Sequence, residues 1–269
     1  MTTASARPED FARIYEIFQA PISRYDCGRH CSPLNGGEPV CCSTEHAIPV
    51  VDRAEWDLLR RRTKLWHRYR PNDRAGKTIV GDLAKSCLAI ECKGVCHCER
   101  DNRTLACRSF PFFPYIDPKG AFIGLSIHWT FIDRCWVISN FAVVDAEFRR
   151  QFIAAYEYMF KVDPGEFEVH KQYSATLRRI FSRRRQVIPF MDREGRCFKI
   201  LPHGKGMRAC PAEAMPKYGA YRSERIYRAA VRAAGGHLPN PSQPLTKVPS
   251  STQRLASASR PRRATSGVV

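Results

Sequence analysis

Ten of the chain's twelve cysteines lie between Cys27 and Cys135, and that crowding limits what the first half of the chain can become. They fall into four groups: Cys27 with Cys31; the adjacent Cys41 and Cys42; Cys87, Cys92, Cys96 and Cys98; and Cys107, with Cys135 further on. A free cysteine that is only a small buried hydrophobe sits in an apolar periodic run. Most of these are flanked instead by Gly, Pro, Asp and Arg. Thiolates are soft charged donors for zinc and iron, and short-spaced pairs on loops from distant segments supply the converging directions that tetrahedral ligation needs. The spacing therefore predicts a cysteine-ligated metal site in the N-terminal half. Cys197 and Cys210 stand alone and read as buried bystanders. His30 and His97 adjoin cluster cysteines and are expected beside the metal rather than on it.

The stretch from Met1 to Phe18 has no apolar segment followed by a small-residue cleavage site, so it does not read as a signal peptide. No window approaches the roughly 20 apolar residues of a membrane span. The expected compartment is the cytoplasm, where thiols stay reduced and clustered cysteines serve metals more often than disulfides.

Periodicity supplies the elements. Phe11, Ile14, Tyr15 and Phe18 mark an amphipathic helix over 8–20. Residues 46–51 read as a short strand. Asp52 and Glu55 form a capping-box pair for a helix carrying Trp56, Leu59 and Trp66. Residues 70–82 read as turns, and 121–131 as a strand. Asp145 opens a helix bearing Phe148, Phe152, Tyr156 and Phe160, and Asp163, Pro164 and Glu166 open the next. Residues 187–191 and 197–201 flank Asp-Arg-Glu-Gly as a hairpin, and a last helix over 220–234 stops at Gly235-Gly236. The expected fold class is α+β. A loop-rich, cysteine-ligated metal domain occupies 1–140, and a mainly helical segment with a small hairpin covers 141–236. A Pro-, Ser-, Thr- and Arg-rich tail over 237–269 is expected to be disordered and basic.

The formal net charge is +18, and from Pro216 onward ten Lys and Arg face one acid, Glu224. That asymmetry suggests an acidic polymer or a protein partner for the C-terminal region. Arg222, Arg225, Arg228 and Arg232, with Tyr218, Tyr221 and Tyr227 between them, would supply phosphate contacts and stacking platforms.

The order of the cysteines, with Arg103-Thr104-Leu105-Ala106-Cys107-Arg108-Ser109-Phe110-Pro111 and Glu55 between the early and late groups, resembles the YkgJ-type cysteine-cluster family, a zinc- or iron-chelating domain. The resemblance spans about 25–136. It implies a chelated zinc or iron, the latter as an ion or a 4Fe-4S cluster, and no set reaction. The implied ligands are Cys27, Cys31, Cys42, Cys87, Cys98 and Cys107, with Cys41 and Cys135 as second choices and the choice among Cys92, Cys96 and Cys98 left open. Arg103 and Arg108 are expected to offset thiolate charge. Two other readings accompany a cysteine-cluster protein of undefined role. One is an iron–sulfur-dependent protein-modifying enzyme resembling lysine N-methylases, and the other is a nucleic-acid-associated metal-binding protein. HExxH, GxSxG and P-loop motifs are absent, as is CxxxCxxC.

Overall fold

Helix starts follow short-range chemistry in the computed structural model, which describes residues 5–239. Pro8 opens α1 (Pro8–Ile17), which buries Phe11, Ile14 and Tyr15. The one-turn α2 (Gly28–Cys31) follows. Side-chain oxygens cap the next helices by accepting from early amides. Asp52 serves α3 (Arg53–Arg62), Asp73 serves α4 (Arg74–Gly81) within the stretch expected to be turns, and Thr104 serves α5 (Leu105–Ser109). Asp145 caps α6 (Ala146–Val162), Asp163 caps α7 (Pro164–Arg183), and Ser223 caps α8 (Glu224–Ala233). From residue 240 on, the tail expected to be disordered lies outside the described residues.

Helices and sheets mix, as an α+β chain requires. The first sheet is antiparallel and small, with β1 (Val50–Asp52), β2 (Trp66–Arg68) and β3 (Cys87–Cys92) in the order β1-β3-β2. Trp66 was expected on a helix. The structure ends α3 at Arg62 and gives Trp66 to β2, opposite Cys92. The second sheet runs β4 (Phe112–Ile116), β5 (Phe122–Ile127), β6 (Ile188–Asp192), β7 (Cys197–Ile200), β8 (Met207–Ala209), each paired antiparallel to the next. The β6–β7 turn is held by the Asp192 carboxylate, which accepts from the amides of Glu194 and Arg196.

The sequence segments on either side of residue 140 meet in this sheet. β5 pairs with β6, and Phe18, Phe112, Phe148 and Phe190 belong to one buried cluster. The β5–β6 contact is close because Gly124, at φ 154°, has no side chain to hold the strands apart. Ser174 on α7 accepts from the Ile116 amide at 3.0 Å and ties that helix to β4.

Candidate metal centre

Five short segments bring eight thiols into one region. α2 places Cys27 and Cys31 one helical turn apart, so both face the same side. A 3-10 turn over Val40–Cys42 carries Cys41 and Cys42, whose sulfurs lie 3.9 Å apart. β3 ends on Cys92, and Gly94, at φ 94°, turns the chain back so that Cys98 returns beside it. The cap on α5 fixes Cys107 through its own amide, 3.0 Å from Thr104 Oγ1. Cys135 follows the turn after β5 and is buried. Cys41, Cys42, Cys92, Cys98 and Cys107 line one cleft with Arg103, between apolar walls of Leu65, Trp66, Pro49 and Val95. Cys27, Cys31 and Cys135 interact electrostatically as a second group, and Cys41 interacts with Cys27 and Cys31, linking the two.

Cys87 is not among them. A six-residue strand at about 3.3 Å per residue sets its ends about 16 Å apart, and Cys87 sits at the end away from the cleft, near Asp52, Asp163 and Glu166. Cys92, at the other end of the strand, lines the cleft. The signal was present in the sequence: Gly94 after Cys92 is what allows a strand-end cysteine and Cys98 to meet. Cys96 is exposed. The His30 ring stacks on Trp136 with centroids 4.0 Å apart.

Burial governs the thiols. It pushes Cys27 up to about 12, with Cys31 adding to the rise, and pushes Cys107 up to about 12. The adjacent pair splits. Hydrogen bonding to Cys41 lowers Cys42, with the Arg103 charge assisting, while Cys41 rises. Arg103 donates from Nε to Cys98 Sγ at 3.1 Å, and neighbouring thiol groups favour its charge. This is the charge-offsetting position expected of it. Arg108 is placed otherwise. It donates to the carbonyls of Phe18, Arg103 and Asp101 and lies over the Tyr15 ring at 4.3 Å. Its role is to bind the Cys98–Cys107 loop to α1.

One residue near α5 has a part that the sequence misassigned. Glu55 was expected to close a capping box with Asp52. It is instead buried and accepts from Tyr15 Oη and from the Leu105 amide, both at 2.6 Å. Desolvation raises its carboxyl to about 7. One side chain thus joins α1, α3 and the first turn of the helix that carries Cys107.

The C-terminal tyrosines point inward. Tyr221 and Tyr227 are buried and stacked on each other, and their hydroxyls donate to Arg134 O and His30 O, each at 3.0 Å. They latch α8 over the Cys31 and Cys135 segments and are not free to stack on bases.

Among the described residues, no three His, Cys, Asp or Glu side chains stand in positions that would hold a metal ion with these side-chain conformations. Among the same residues, no helix is long and apolar enough to cross a membrane. No family model, curated protein or solved structure matches the chain.

Proposed function

We propose that this protein is a cysteine-cluster metal-binding protein of the YkgJ type, taking zinc or iron, the latter as an ion or an iron–sulfur cluster. The observation that supports the reading is the convergence of eight thiols from five chain segments, five of them lining one cleft with the half-buried Arg103 guanidinium. The donor chemistry suits a soft cation, and binding needs side-chain rotations that bring the sulfurs closer. Four of Cys41, Cys42, Cys92, Cys98 and Cys107 would hold the metal first, because these five share the cleft, with Cys27, Cys31 and Cys135 behind them. Arg103 would offset the residual thiolate charge. Ligating thiols must lose their protons, so affinity rises with pH. The metal would tie the N-terminal loops to β3 and α5, and this reading leaves the reaction open.

Anaerobic purification followed by metal analysis, acid-labile sulfide and a visible spectrum tests it. Iron with sulfide supports a cluster, and colourless protein with stoichiometric zinc supports a closed site. Protein with neither metal, and with Cys42→Ser and Cys107→Ser fully stable, would overturn the proposal. A polyanion partner for α8 would rest on the exposed Arg222, Arg225, Arg228 and Arg232 alone, and Arg228 is already paired with Glu224 at 2.7 Å.

A further inference from the structure

Two of the cysteines outside the cluster, Cys197 and Cys210, are not bystanders to each other. β7 and β8 pair with Phe198 opposite Ala209 and Lys199 opposite Arg208. One step further along the same ladder sets Cys197 opposite Cys210, and the Cys210 amide donates to Cys197 O at 2.9 Å. Directly opposed residues on antiparallel strands project to the same face, and a hydrogen-bonded pair holds its Cα atoms about 5.5 Å apart. Disulfides span Cα separations of about 4.4–6.8 Å. The thiols also sense each other, since the Cys210 charge raises Cys197 after burial has done most of that work. Closing the bond requires the Cys210 sulfur, which lies 3.9 Å from Met215 Sδ, to turn toward Cys197 and the two strands to draw together, and β8 can make that movement. It is a three-residue, exposed edge strand bonded only to β7.

We propose that Cys197 and Cys210 form a reversible cross-strand disulfide, a redox modification site on the sheet edge remote in sequence from the thiol cluster. Cys210 is the more accessible of the two, while Cys197 is buried, and this sets the order of events. With a low-molecular-weight disulfide as oxidant, the Cys210 thiolate attacks one sulfur, forming a mixed disulfide and expelling one small thiolate. The Cys197 thiolate then attacks the Cys210 sulfur, forming the Cys197–Cys210 bond and expelling the second. The two protein thiols give up two protons and two electrons, and the small disulfide is reduced to two small thiols. The closed ring would staple the 201–206 turn and the otherwise singly bonded edge strand β8 to β7.

The test is peptide mapping of the full chain, as purified, after exposure to oxidised glutathione under native conditions. Remaining thiols are alkylated before trypsin digestion. Cleavage after Arg196, Lys199, Arg208 and Lys217 isolates Cys197 in the peptide 197–199 and Cys210 in 209–217. The expected result is a species joining these two peptides, lost on reduction and more abundant than any other pairing of either cysteine. Cys197→Ser should leave Cys210 as the glutathione adduct, and Cys210→Ser should leave Cys197 alkylated. Recovery of both cysteines alkylated in the wild type, a glutathione adduct on Cys210 that never resolves, or the joined peptides appearing only in urea would each overturn the proposal. None of these readouts depends on whether a metal is bound, and the wild-type map stands even if a variant folds poorly.

Discussion

Replacing Glu55 with Gln should make the protein's stability less sensitive to pH over a defined window. The folded carboxyl is raised to about 7 by desolvation, against an ordinary value of 4.5. Between those values the folded chain keeps a proton that the unfolded chain has released. Folding therefore takes up a proton, and stability falls as pH rises. At about 1.4 kcal/mol per pH unit, the gap corresponds to about 3 kcal/mol of stability present below 4.5 and lost above 7. Gln cannot ionise. Its side-chain oxygen can still accept from Tyr15 Oη and the Leu105 amide, since both donate to one oxygen of Glu55. The expected result is a difference curve, Glu55→Gln minus wild type, that climbs by about 3 kcal/mol from pH 4.5 to 7 in urea unfolding monitored by tryptophan fluorescence, all other titrating groups cancelling. Glu55→Ala should instead lose about 1–3 kcal/mol for each buried donor left without a partner. A flat difference curve would show that the carboxyl titrates alike in the folded and unfolded chains. Glu55→Ala as stable as Glu55→Gln would show that its two donors do not depend on it. Either result refutes the clamp.

Three further outcomes are expected. Cys92→Ser should lower the metal content of anaerobically purified protein and Cys87→Ser should leave it unchanged, because β3 holds the two at opposite ends; the reverse pattern would return Cys87 to the site. Tyr227→Phe removes the hydroxyl that meets His30 O and should lower stability by about 1 kcal/mol in thermal unfolding; no change would mean that α8 does not latch through it. Gly124→Ala would set a Cβ about 2.8 Å from Asp192 Cα at a backbone angle unsuited to side chains, and should lower stability by about 3 kcal/mol; wild-type stability would show that β5 and β6 can separate freely.

What was legible in the sequence is what short-range chemistry decides. Asp52, Asp145 and Asp163 announce helices because a cap needs only the next three amides. Asp192 to Gly195 announces the hairpin because its carboxylate bonds its own turn. The density of cysteines announces a thiol cluster because no apolar periodicity explains it. Choices between chemically equal residues were not legible. Cys87 and Cys92 are both cysteines at strand ends, and only the direction of β3 between β1 and β2 decides which one meets Cys42 and Cys107. Glu55 matched a cap locally, yet the tertiary fold sets it against the amide of Leu105, fifty residues away, and against Tyr15 Oη, and it accepts from both. Tyr221 and Tyr227 could be read from the sequence as stacking platforms or as core residues, and the packing of α8 against the turn bearing Trp136 puts them in the core. Cys197 and Cys210 looked solitary because the register of an edge strand leaves no trace in a local pattern. Composition and local spacing determined that this chain carries clustered thiols on capped, turn-rich loops. Tertiary packing decided which thiols meet, because strand direction and register act over distances that no window of sequence contains.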